Sequence, residues 1–388
     1  MQIADQRAAL KLDILRNDCD VLVIGGGFAG LNAAVAAKEA GQNVVLIDKG
    51  RPGYSGLTPW ASSHRWFDPE MGDDEQAFKD TINRGGDYIN NMNWYQCWID
   101  ESKETAQRLM DWGILTQYTR ASEAGDYYDR QDYAGYREAF AKNDRRTKFI
   151  EVLNAKGIEY AENVMITNIV KTGDRVTGGV GFTSSFVSIQ GTHAGKAAAA
   201  YAATAEPGVI SADDLAAITE EINAPLSVAQ GFDPNWARDQ LSGIMSPYWI
   251  HIVKTRETLE GALAQVEYMR DNVVPKLAAA TPHDLRLCHE MKHKVLSAEM
   301  KLRAGLAREE TRGLSYRADF PYRDDENFLC YITVQKGEDG KMVTGKVPVK
   351  DEWKGDVTQP YAERYGYYFP GETEAKGIVV EESTGWGK

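Results

Sequence analysis

Residues 19–30 join an apolar strand to a glycine turn and an alanine-rich helix: Cys19-Asp-Val-Leu-Val-Ile-Gly25-Gly26-Gly27-Phe28-Ala29-Gly30. A second apolar run, Asn43-Val-Val-Leu-Ile-Asp48, follows and ends in an acid. The three spaced glycines have separate tasks. Gly25 permits a tight turn, Gly27 lets the main chain approach a pyrophosphate, and Gly30 lets the helix pack close to the sheet. The helix start then aims free N–H groups and a positive dipole end at the phosphates, with the backbone of Phe28 and Ala29 in contact. Asp48 stands 18 residues beyond Gly30, where a carboxylate can accept ribose hydroxyls. The pattern predicts a dinucleotide-binding βαβ unit. The plainer alternative, a structural glycine turn in a parallel sheet, leaves Asp48 without a purpose.

The rest of the composition narrows the class. A chain of 388 residues accommodates two or three domains of ~150 residues. Its net charge of −13 argues against nucleic acid as a partner. Cys19, Cys97, Cys288 and Cys330 are far apart and form no CxxC pair. That suits a reducing compartment and supplies no set of ligands for an iron–sulfur cluster. There is no apolar run long enough to span a membrane. Residues 1–16 lack the apolar centre of a signal peptide, so a cytoplasmic location is expected.

Beyond Asp48, residues 50–74 read as a Pro/Gly-rich loop. Two helices follow, the second burying Trp94, Cys97, Trp98, Leu109 and Trp112 before Gly113. Residues 157–182 read as strands joined by a turn at Gly173-Asp174. A helix is expected to start near Thr192 and end near Ala203. Ser211 and Asp214 form a capping box for a helix that Pro225 stops. Further on, Thr281-Pro282 opens a helix with Cys288, Met291, Val295, Ala298, Leu302 and Leu306 on one face. Residues 337–340 (Gly-Glu-Asp-Gly) carry hairpin-turn chemistry.

Three blocks resemble the flavoprotein subunits of the fumarate reductase, succinate dehydrogenase and adenylylsulfate reductase superfamily. The first is the glycine fingerprint continuing into Asp48-Lys49-Gly50 and Ser55-Gly56-Leu57. The second is Ser188-Ile-Gln-Gly-Thr192-His193-Ala194-Gly-Lys. The third is Thr311-Arg312-Gly-Leu-Ser-Tyr-Arg317 with Pro321-Tyr-Arg323-Asp324-Asp325. The resemblance implies an α/β fold, a glutathione-reductase-like FAD-binding Rossmann domain with a C-terminal helical domain. It also implies FAD, contacted by Lys49, Ser55, Gly56 and Leu57, and by Thr192 and Ala194 at a helix start facing the flavin pyrimidine edge. The loop Tyr54-Ser-Gly-Leu-Thr-Pro has no histidine where covalent members have one, so the FAD is expected to be non-covalent.

Two departures stand out. The late block has His193-Ala194-Gly195 where the family has a substrate-binding arginine. The family's long insertion, which holds the capping domain, is missing near 182–186. The chain is therefore expected either to leave the flavin face open or to show a backbone break within Gly181–Phe186.

The expected layout is an FAD-binding domain over 17–205, a linker with a short helix over 206–235, a helical domain over 236–330 and a tail over 331–388. The expected activity is two-electron transfer to or from a small anionic substrate. A candidate electron partner is an iron–sulfur subunit. Candidate catalytic residues are His193, the His64-Arg65 pair and Arg312. For Arg312, Arg317 and Arg323 a salt-bridge network is the stronger alternative. Trp60 is a candidate wall for the flavin. His289 and His293 sit in an ordinary amphipathic helix, and no metal site is expected. Two other readings remain: a non-catalytic, cap-less scaffold subunit, and a NAD(P)-dependent enzyme.

Overall fold

A computed structural model describes residues 17–56, 58–60, 66–115, 145–167, 184–206, 211–365 and 367–379. In chain order the first elements are β1 (Val21–Ile24), α1 (Phe28–Glu39), β2 (Val44–Ile47), α2 (Glu75–Gly85), α3 (Met92–Asp111), α4 (Arg145–Ala155), β3 (Glu159–Ala161) and α5 (Ser184–Ala202). Then come α6 (Ala212–Ser227), α7 (Pro234–Met245), α8 (Tyr248–His251), β4 (Val253–Lys254), α9 (Arg256–Tyr268), α10 (Pro282–Ala307), β5 (Tyr316–Arg317), β6 (Cys330–Lys336) and β7 (Met342–Pro348). Two compact units result. One comprises residues 14–75 and 93–214, the other residues 76–92 and 215–388.

The first unit is built on a parallel sheet in the order β1-β2-β3. Val21 pairs with Val44, and Val45 with Glu159. β2 is central and all four of its residues are buried, as a continuous Val/Leu/Ile run in a parallel sheet should be. β1 alternates instead: Val21 and Val23 are buried, while Leu22 and Ile24 are about half exposed, at 49% and 54%. Leu31, Ala34, Leu46, Leu109, Phe149 and Leu153 form the centre of the core.

α1 lies against α5 at very short range. A Cβ on Gly191 would sit 2.1 Å from the Ala29 carbonyl oxygen, and one on Gly195 would sit 2.2 Å from that of Ala33. Both glycines are therefore packing residues inside a helix. This corrects the expected start near Thr192, because α5 begins at Ser184, two turns earlier. Trp94 also departs from expectation: it is 39% exposed, while Trp98 and Leu109 on the same helix are buried. The strands and turn expected over 168–182, and the join at Phe182-Thr183, lie outside the described residues.

The second unit is mainly helical. Thr281 caps α10 in a capping box with Asp284, and Pro282 takes the first helical position. Cys288, Met291, Val295, Ala298 and Leu302 are buried together against Ala237, Leu241, Leu259 and Val266 of α7 and α9. α6 does begin with the Ser211 cap, since Asp214 N–H donates to Ser211 Oγ at 3.0 Å. It does not stop at Pro225 but runs through it to Ser227. A proline in the last turn forfeits one backbone hydrogen bond, and the helix ends within two residues of it.

After α10 the chain forms an ionic core. Arg312, Arg317 and Arg323 are all fully buried. Arg317 pairs with Asp319 through Nε and Nη2 at 2.9 and 2.7 Å, and its Nη1 donates to the Gly305 and Arg308 carbonyls. β6 and β7 form an antiparallel hairpin from Cys330↔Pro348 to Lys336↔Met342. Gly337 N–H donates to Lys341 O at 2.7 Å, so the turn falls where residues 337–340 predict it.

Candidate nucleotide-binding site

The candidate site belongs to the first unit. The chain turns at Gly25, whose φ of +100° is open to glycine and costly for other residues. The Gly25 N–H donates to Ile47 O at 2.8 Å, which fixes the turn to the end of β2. α1 then starts behind Gly27, and no side chain caps its first turn. Such a helix start offers N–H donors and the positive end of the dipole to an anion. A Cβ on Gly30 would stand 1.7 Å from Gly25 O, and one on Gly26 would stand 2.7 Å from Pro52 Cα. One on Gly27 would meet Thr58 Oγ1 at 3.0 Å. Phe28 turns its ring into the core, edge-on to Phe149 at 5.2 Å. What Phe28 and its half-buried neighbour Ala29 offer a ligand is therefore backbone.

Asp48 is the hinge of this arrangement. It is 5% exposed. Its Oδ2 accepts the Gly26 N–H at 2.6 Å, and its Oδ1 accepts the Gly50 N–H at 2.7 Å and the Ser55 hydroxyl at 2.6 Å. A carboxylate has about four acceptor positions, so the protein itself fills most of them. Asp48 first ties the glycine turn to the following loop, and roughly one acceptor position remains for a ribose hydroxyl. Ser55 is committed to Asp48. Gly56 and Lys49 are exposed. Gly53 N–H donates to Gly26 O at 2.8 Å, closing the loop over the glycine turn. Leu57, His64 and Arg65 lie outside the described residues, as does the Trp60 side chain.

The late block is placed differently from expectation. Thr192 is buried in mid-helix. Its hydroxyl donates to Ser188 O at 3.0 Å and accepts from Arg108 Nη2 at 2.9 Å. It has no free helix-start N–H to present. Ala194 is exposed on the same helix. His193 places Nε2 2.7 Å from Glu101 Oε1, with nearly half of its side chain exposed. Arg312 lies in the second unit, where its five N–H groups meet Glu310 twice, Asp325, the Asp87 carbonyl and the Tyr365 hydroxyl at 2.8–3.2 Å. No donor is left for a substrate, and the salt-bridge reading describes this arginine. The metal-like pair is equally ordinary at His289, whose Nε2 lies 2.9 Å from Ile222 O.

Sequence reasoning missed Arg108. Its Nη2 also donates to Asn32 Oδ1 at 3.1 Å, joining α3 to α1 and α5. The signal was Asn32 itself, a polar residue in the otherwise apolar run Leu31–Ala37.

The FAD binding domain family matches residues 20–220, more than half of the chain. The chain belongs to that family. A second family, the fumarate reductase flavoprotein C-terminal domain, matches residues 238–365. The flavoprotein is 31% identical over 176 residues to one chain of the CoM/CoB fumarate reductase of Methanothermobacter marburgensis, covering 42% of this chain and 31% of that one. It is 26% identical over 218 residues to the L-aspartate oxidase of Streptomyces coelicolor, covering 51% of this chain and 36% of that one. It therefore spans about a third of the length of these curated relatives. Among solved structures it shares its fold with Mycobacterium smegmatis Sdh1, with a TM-score of 0.73, 15% identity and coverage of 93% of this chain and 100% of the other. FAD is the cofactor of such a domain. The close glycine approaches and the uncapped start of α1 fit its pyrophosphate.

Proposed function

We propose that this flavoprotein is a fumarate-reductase-like subunit that transfers two electrons to or from a small anionic substrate through non-covalent FAD. One observation carries the reading: an FAD binding domain is followed, in order, by a fumarate reductase flavoprotein C-terminal domain. When bound, the cofactor supplies the redox chemistry, and the protein supplies position and electrostatics. The start of α1 and the amides of the glycine turn hold the pyrophosphate. Asp48 keeps that turn in shape through Gly26, Gly50 and Ser55 and offers its remaining acceptor position to the ribose. His64 and Arg65 are the proposed acid and anion clamp. His193, poised on Glu101, is the proposed second proton donor.

An iron–sulfur subunit is the proposed electron partner, because the four cysteines of this chain lie far apart in sequence, without the spacing of a cluster's ligand set. Among the described residues no helix is long and apolar enough to cross a membrane. A cytoplasmic location completes the reading.

The test is direct. The purified protein should carry a flavin absorption band, release it into the supernatant on acid precipitation, and oxidise a reduced viologen dye with fumarate or another small carboxylate. A yellow protein that turns over none of a panel of anionic acceptors would favour the scaffold reading. That reading draws on the packed, mid-helix position of Thr192. A colourless protein that does not take up FAD would overturn both.

A further inference from the structure

Lys254 is an anomaly in the second unit. It is 7% exposed, yet its Nζ has one hydrogen bond, a long one of 3.4 Å to Ile252 O. Lysine is almost never buried to this degree without an anionic partner. Asp319, two residues beyond the Arg317 that pairs with Lys254 across β4 and β5, is held by Arg317 and by the Arg256 N–H. Two further basic side chains lie alongside. Lys301 of α10 places its Nζ 2.9 Å from Nδ1 of His251, at the end of α8. Among the described residues neither Lys254 nor Lys301 has a carboxylate within ion-pair distance. Burial together with the charges of Lys301 and Arg317 pushes the Lys254 amine below its ordinary value. In a chain with 57 acidic residues against 44 basic ones, a group of basic side chains with no acid among them is a vacancy for negative charge.

We propose that His251, Lys254 and Lys301 form a binding site for a small dianion of phosphate size. The site uses lysines, which act as compact point charges, and no free arginine fork. That choice favours a tetrahedral phosphate over the planar, two-point grip of a carboxylate. Lys254 is the buried member of the group, and Lys301 and His251 are its exposed members. This site lies wholly within the second unit.

The experiment is calorimetric titration of the FAD-loaded full-length protein, so that the pyrophosphate site is filled. Inorganic phosphate and glycerol 2-phosphate are the probes. Wild type should bind one of them with one-to-one stoichiometry, and Lys301→Ala and Lys254→Met should each weaken binding by about tenfold or more. Preference for the ester would identify a phosphate monoester as the ligand, and preference for inorganic phosphate the free ion. Thermal melting supplies the second readout. Without phosphate, Lys254→Met should melt higher than wild type, because it removes a buried charge that lacks a partner. Phosphate should raise the melting point of wild type and raise that of the variant by clearly less. Absence of binding at millimolar phosphate, or equal binding by all three proteins, would overturn the proposal. So would a Lys254→Met protein that melts lower than wild type in the absence of phosphate, since the lysine would then be structural.

Discussion

Arg323 Nη1 donates to both carboxylate oxygens of Glu372, at 2.9 and 2.8 Å, although the two residues are 49 positions apart. The same guanidinium faces Asp87 at 3.0 Å and lies 4.1–4.7 Å from the ring centres of Tyr365, Tyr367 and Phe369. One side chain thus ties Tyr365, Tyr367, Phe369 and Glu372 to the body of the second unit. Arg323→Met should leave Glu372 and Asp87 as buried carboxylates without their cation. The expected loss is about 3–5 kcal/mol in a denaturant titration. A loss below about 1 kcal/mol, the range of a surface pair, would mean that the network is solvated.

Asp48→Asn tests the hinge of the nucleotide site. The amide group of asparagine must turn an N–H₂ either towards the Gly26 N–H or towards the Gly50 N–H and the Ser55 hydroxyl together. Hydrogen bonds to a charged acceptor contribute about 1.5–3 kcal/mol each, so a loss of roughly that size is expected. Flavin content, read as the ratio of flavin to protein absorbance, should fall with it. Full flavin content in a destabilised variant would separate the two roles of Asp48.

Gly30→Ala should be severe where Gly41→Ala is mild. The first would push a methyl group to 1.7 Å from the Gly25 carbonyl, whereas the second meets nothing within 4 Å. Gly41 does carry a φ of +91°, so its cost is backbone strain alone. Overpacking costs about 1–3 kcal/mol, and here it also pries the start of α1 from the turn proposed to hold the pyrophosphate. Retention of stoichiometric FAD by a folded Gly30→Ala protein would contradict the assignment of the site.

Burial, aided by Asp284 and Asp233, pushes the Cys288 thiol up to about 12 from an ordinary value of 9.0. Two outcomes follow. Iodoacetamide at pH 8 should leave Cys288 unmodified in the native protein, because the thiolate is the reactive form. The raised value also makes the native state hold its proton after the unfolded state has released it. The contribution of Cys288 is therefore complete below about pH 9 and is lost as pH climbs towards about 12. Replacing it in Cys288→Ala should flatten that part of the stability–pH curve, measured by denaturant midpoints. An unchanged alkaline slope would show that the thiol is solvated.

The parts of the fold that could be read from sequence are those set by local rules. Gly25, Gly30 and Asp48 announce the turn because main-chain geometry admits few alternatives there. Thr281-Pro282 announces α10 because a cap and an N1 proline act within one turn. The start of α5 was hidden because Gly191 resembles a helix breaker when read along the chain. Its real role depends on Ala29, far away in sequence. A spacing of four between Gly191 and Gly195, continued by Ala198, Ala199 and Ala202, was the available sign of a packing face. The aromatic surroundings of Arg323 were illegible for the same reason, since every contact spans more than 40 residues. Pro225 misled because a rule about helix interiors was applied to a final turn.

The meeting of α1 and α5 also has an evolutionary consequence. At Gly191 and Gly195 the opposing atoms are carbonyl oxygens, not side chains. No substitution at Ala29 or Ala33 removes a main-chain oxygen, so no second mutation on α1 can make room for a methyl group on α5. These two positions should drift alone or not at all, and a pairwise covariation signal between the helices should be weakest at the point where they are closest.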